Sequence, residues 1–205
     1  MEDVLDVYHW PYDAAWPQVC LDETSKQLLE HTRLPIPARR GVKARVDDEY
    51  KRCGTANIFA AVEPLTGRCL VQVTERRTAV DMAHFLRRLV DEEYPNATAI
   101  VLVMDNLNTH GIACLYEAFE PAEARRLAMR FDIHHTPKHG SWLNVAETFL
   151  SSLAMQALDQ RIASLADLKA VVAAWQSARR NGKVTWRFST PDARIKLHRL
   201  YPSVL

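Results

Sequence analysis

From Ala99 to Met104 the chain is apolar without a break, and the run ends on Asp105. A run of that length predicts a strand buried on both faces. Apolar positions at Ala79, Met82, Phe85, Leu86, Leu89 and Val90 recur at helical spacing instead. Thr78, with Asp81 three residues on, predicts the capped start of that helix, and Pro95 and Asn96 predict its end. Asn57–Val62 and Arg68–Thr74 read as strands joined by the turn Glu63–Gly67. Gln18–Asp22 reads as a short first strand, followed by the polar Glu23, Thr24 and Ser25. Short helices are expected over Ile112–Ala118 and Ala122–Arg130, and a strand over Phe131–His135. A long helix is expected from a cap at Ser141 through Leu158, with Leu143, Ala146, Leu150, Leu153 and Ala157 on one face. A last helix starts at Ser164, buries Leu165, Leu168, Val172 and Trp175, and stops at Asn181 and Gly182. Residues 1–16 lack periodicity and read as a lead-in. Residues 31–53 hold Pro35, Pro37, Gly41 and many charges, and read as a loop-rich excursion.

A strand leading into an antiparallel hairpin, then alternating helices and strands, predicts a mixed sheet with helices on both faces. The chain has 205 residues, 48% hydrophobic and 25% charged, which suits one α/β domain and excludes a disordered chain. The expected division is the lead-in 1–16, a core at 17–178 and a C-terminal segment at 179–205. No apolar run is long enough to span a membrane and no signal peptide opens the chain, so a cytoplasmic, nucleoid-associated protein is expected. Cys20, Cys53, Cys69 and Cys114 form no CxxC pair, which fits buried thiols better than zinc or disulfides. Net charge is +1, but from Arg179 onward seven basic residues face the single acid Asp192. That segment therefore carries +6 and the remainder −5, which suggests a phosphate-binding surface or, on charge alone, a solvated tail.

Three acids stand where such a fold could gather them. Asp22 ends the first strand, Asp105 ends the buried one, and Glu147 lies on the long helix. Singly, each has a plain explanation: a turn residue at Asp22 or Asp105, a solvated helix face at Glu147. Jointly they point to a cation, because converging carboxylates repel one another unless a cation lies between them. Hard Mg²⁺ prefers such oxygen ligands, and a pair of ions suits in-line phosphodiester displacement.

The motifs around these acids are Leu21-Asp22-Glu23-Thr24, Val103-Met104-Asp105-Asn106-Leu107-Asn108-Thr109-His110 and Thr136-Pro137-Lys138-His139-Gly140-Ser141-Trp142-Leu143 before Glu147. With Trp186-Arg187-Phe188-Ser189-Thr190 and Ala193-Arg194-Ile195-Lys196-Leu197, they resemble the mariner-like transposases of bacterial insertion sequences. The resemblance covers nearly the whole chain. It implies an RNase H-like (retroviral-integrase-like) α/β fold and an Asp-Asp-Glu triad of Asp22, Asp105 and Glu147 that is both catalytic and metal-binding. It further implies Mg²⁺ or Mn²⁺, two ions, as cofactor, with cutting of DNA at transposon ends and 3′-hydroxyl strand transfer into target DNA. Partners implied are transposon-end and target DNA, a homodimer on that DNA and, since no helix-turn-helix region precedes Asp22, a separate helix-turn-helix polypeptide. A nuclease of the same fold without strand transfer, or a domesticated DNA-binding protein that no longer cuts, stay open as alternatives.

Lys138, His139, Arg187, Arg194, Lys196 and Arg199 are candidate DNA contacts. His134 and His135 point to opposite faces of a strand and do not suit a shared metal. His110 reads as a turn residue or a group that orients a phosphate. Trp142 is expected in the core, with Trp186 and Phe188 anchoring the basic tail. Asn144 stands where relatives often carry an acid.

Overall fold

A computed structural model describes residues 1–105, 111–138, 140–179 and 182–201. His110, His139 and the helix stop at Asn181 lie outside the described residues. The sheet is mixed and five-stranded, in the order β3-β2-β1-β4-β5. Strand β1 (Gln18–His31) runs antiparallel to β2 (Tyr50–Val62), and β2 antiparallel to β3 (Cys69–Thr74). Strand β4 (Ile100–Met104) lies parallel to β1 on one side and to β5 (Phe131–His135) on the other.

Side-chain alternation sorts the sheet into two apolar faces. One face presents Cys20, Ile58, Ala60, Val101 and Val103 to α5 (Val145–Leu153), α6 (Leu165–Ala178) and α7 (Thr190–Lys196). The other presents Val19, Leu21, Phe59, Leu102 and Met104 to α2 (Ala79–Arg88), α3 (Cys114–Ala118) and α4 (Pro121–Ala128). Thr78 and Asp81 make the expected reciprocal capping box on α2, and Ser164 accepts from the Asp167 amide to start α6.

Several readings change, and β2 is one: it begins at Tyr50, not Asn57. β1 does not stop at Asp22: Glu23, Thr24 and Ser25 continue the ladder, opposite Phe59, Ile58 and Asn57. Cross-strand pairing with a long apolar β2 overrides the low strand propensity of that polar stretch. The lead-in contains a helix, α1 (Glu2–Val7), whose Val4, Leu5 and Val7 are fully buried in the layer of α5–α7. One and a half helical turns are too short to display a periodic pattern in the sequence. The long helix begins at Asn144, not Ser141; Ser141–Leu143 forms a 3₁₀ turn ahead of it. Trp142 is 45% exposed and meets the Phe188 ring edge-on, because that turn rolls it out of the core while Leu143 takes the buried place.

Trp186 does anchor the C-terminal segment: its ring stacks at a tilt on Tyr8, with centroids 4.8 Å apart. Of the cysteines, Cys20 and Cys114 are buried, and Cys53 and Cys69 only partly so. Among the described residues no helix is long and apolar enough to cross a membrane.

Candidate active site

Cys20 on β1 lies level with Val103 on β4 in the parallel register. Two residues further on stand Asp22, within β1, and Asp105, just past the end of β4. Both occupy the alternation that faces α5, and α5 carries Glu147 in its first turn. The three acids line one open cleft of about 400 Å³, with Glu23, Thr24, Asn144, Leu150, Ser151 and Ala154. The structure thus brings together all three acids of the sequence reading.

Asn144 sets the distance between strand and helix, a role its sequence position did not disclose. It is buried; its Oδ1 accepts from the Ala146 amide as the cap of α5, and its Nδ2 donates to the carbonyl of Leu21 at 2.9 Å. One side chain therefore ties the residue before Asp22 to the turn that presents Glu147. The approach to α5 is equally constrained. Gly140 donates to the carbonyl of Pro137, and a Cβ there would fall 2.5 Å from the Pro137 ring, so only glycine closes this turn. Beneath the site, the Tyr8 hydroxyl donates to the Leu143 carbonyl at 2.6 Å and lies 3.3 Å from Cys20 Sγ. Burial raises the Tyr8 phenol and pushes the Cys20 thiol up to about 12, so both stay neutral.

Asp22 is the acid most altered by its surroundings. Burial is the largest cause, and the charges of Glu23, Asp105 and Glu147 add to it. The Glu23 amide donates to Asp22 Oδ1 at 2.8 Å and works against the rise, yet the carboxyl is pushed up to about 7. Arg77 approaches Glu23 at 3.5 Å. Among the described residues no group of three His, Cys, Asp or Glu side chains is arranged to hold a metal ion unaided. The donor set nevertheless suits a hard cation: it is all oxygen, and Mg²⁺ takes few protein carboxylates and completes its shell with waters and substrate phosphates.

The candidate DNA contacts are scattered in kind. Lys138, Arg187 and Arg199 are exposed. Arg194 instead forms a double hydrogen bond with Glu2, both contacts 2.8 Å, and Lys196 lies over the Phe188 ring. His134 is engaged by Asp3 on α1 at 2.8 Å, with the Trp10 ring edge-on to it.

A family model described as DDE superfamily endonuclease matches residues 17–169. No curated protein matches in sequence. Among solved structures, the chain is similar to the Mos1 strand transfer complex, with a TM-score of 0.57 and 13% identity over 80% of this chain and 48% of that one. It is also similar to the Mos1 mariner paired-end complex with Mn, at 0.52 and 15% over 82% and 50%. The Mos1 transposase paired-end complex with left transposon end gives 0.54 and 14% over 80% and 49%. At such identities the likeness is one of fold, the RNase H-like mixed sheet, and the chain spans about half the length of the structures it matches.

Proposed function

Since the chain belongs to the DDE superfamily endonucleases, we propose that it is the catalytic domain of a mariner-like DNA transposase, with Asp22, Asp105 and Glu147 as its triad. The observation that carries this reading is the shared cleft: acids from within β1, from just past the end of the parallel β4, and from the start of α5 open onto the same space. Such an arrangement has no use in folding, since it places like charges together. The fold likeness to Mos1 complexes, among them a strand transfer complex and a paired-end complex with left transposon end, supports transposon-end and target DNA as substrates.

Asp22, Asp105 and Glu147 would hold divalent cations, Mg²⁺ or Mn²⁺, two in the reading favoured. When bound, such ions activate a water or 3′-hydroxyl and neutralise charge on the phosphate and leaving oxygen. The chain's own part is to hold the acids in place. The β1–β4 register fixes Asp22 beside Asp105, and Asn144 keeps Glu147 against them. With its pKa raised, Asp22 accepts a proton readily while no cation is bound, and it would release that proton to solvent on holding one. Lys138, Arg187 and Arg199 are proposed to contact phosphates, and His139 with them.

The test is nicking of plasmid DNA with Mg²⁺ or Mn²⁺ added or withheld, and joining of a pre-cut oligonucleotide to a target plasmid. Cleavage is expected only with metal, and Asp22→Asn, Asp105→Asn and Glu147→Gln should each abolish it with the fold retained. Full activity in EDTA, or in any of the three variants, sinks the triad. Cleavage without joining leaves a nuclease and removes the transposase.

A further inference from the structure

Between β1 and β2 the chain leaves the sheet, and from Arg33 to Arg45 it carries five basic residues and no acid. It does not wander. Ile36 and Arg45 exchange two backbone hydrogen bonds at 2.9 Å, and Arg39 and Val42 exchange two more at 3.0 and 2.9 Å. Gly41 adopts φ +78°, the left-handed conformation that lets the chain reverse between the inner pair. The result is a two-rung arm with Arg40 and Gly41 at its tip, and every residue from Thr32 to Val46 is exposed.

Arg33 pairs with Asp47 at 3.4 Å. Arg39, Arg40, Lys43 and Arg45 make no ion pair among the described residues. In a chain whose total charge is +1, four such cations on one narrow arm repel one another, and a polyanion relieves that repulsion. The C-terminal segment offers less than its charge suggests, because Arg194 is already spent on Glu2. Strand β1 runs unbroken in the chain from Asp22 to His31, so the base of the arm stands up to roughly 30 Å from the cleft at about 3.3 Å per residue. Along a duplex that is roughly nine base pairs.

We propose that this arm is a second DNA contact, binding the phosphate backbone through Arg39, Arg40, Lys43 and Arg45 at a distance from the cleaved bond. The proposal rests on the reading of the chain as a DNA-cutting enzyme for its substrate, but its test does not need catalysis. Binding of the full chain to a labelled duplex of about 30 base pairs is measured in EDTA across a range of NaCl, where each phosphate neutralised contributes about −0.9 to the slope of log K against log salt. Arg39→Gln/Arg40→Gln/Lys43→Gln should flatten the slope by about 2 to 3. A control, Arg87→Gln/Arg125→Gln/Lys169→Gln, removes as much charge from exposed helix positions and should leave the slope nearly unchanged. Equal effects of the two variants, or none from the arm, overturn the proposal. So does an arm variant that binds DNA normally but sediments as a monomer where wild type is a dimer, since the arm is then a contact between copies. A chain that binds DNA through the arm yet never cuts would refute the enzymatic reading and leave the arm standing.

Discussion

Asp22 concentrates the tension of the site in one carboxyl. Its pKa rises from an ordinary carboxylate value to about 7, first through burial and then through neighbouring acids. A raised folded pKa means that stability is greatest at low pH, where Asp22 is protonated folded or unfolded. That stability is lost as pH climbs from about 4 to about 7 and the folded carboxyl resists ionising. In EDTA, Asp22→Asn should therefore melt above wild type at pH 8, and the gap should close as pH falls towards 4. The Asn keeps the oxygen that accepts the Glu23 amide, so the comparison is clean. Mg²⁺ should reverse the order at pH 8, because wild type alone keeps the carboxylate proposed to bind it. Thermal melting at both pH values with and without Mg²⁺ decides it; a variant less stable in EDTA at pH 8 would make Asp22 a turn residue. That these three acids could be gathered was legible in the sequence because two end apolar runs on strands and one follows a distinctive motif. The size of the perturbation at Asp22 was not, since it comes from how deep β1 sits between β2 and β4.

At the scale of elements, the start of α5 is the joint on which the site depends. Asn144 performs two jobs with one amide, as cap and as donor to Leu21. Asn144→Ala loses both and leaves the Leu21 carbonyl buried without its donor, at a cost of about 2 kcal/mol. Asn144→Asp keeps the cap oxygen but loses the donor and adds a further acid to the cleft. Urea unfolding in EDTA should rank wild type above both, with Asp gaining more than Ala when Mg²⁺ is added. If all three unfold alike, Asn144 plays no part in joining strand to helix. Sequence periodicity placed β4, β5 and the α2 cap closely, because each is a long or strongly marked pattern. It misplaced the α5 cap because Ser141 and Asn144 are both good cap residues, and the choice is made by a carbonyl on a strand far away in the chain.

The whole molecule is one sheet shared by two helical layers, closed at its termini. α1 bonds to α7 through Glu2 with Arg194 and Asp6 with Thr190. Such long-range closure leaves no local trace in sequence, which is why the first residues read as a lead-in although Leu5 is wholly buried. The arm between β1 and β2 escaped for a different reason. Its charge was visible, but only the backbone rungs show that the charge is displayed on an ordered hairpin. Each of β1, β2 and β4 sends alternate side chains into both layers, so the two layers share one floor and are expected to open together.

The buried thiols turn that sharing into something a chemist can time. Cys20 sits in the layer of α1 and α5, Cys114 in the layer of α2 and α3, and burial pushes them up to about 12 and about 11. A thiol reacts as its thiolate, so neither should be modified by a disulfide reagent until its own layer opens, while the partly exposed Cys53 reacts early. Mass spectrometry of pulse-labelled protein in sub-denaturing urea should find Cys20 and Cys114 labelled together, molecule by molecule. A population carrying label on Cys114 alone would mean that the two layers are separate clocks, and that the acidic cleft keeps its own time.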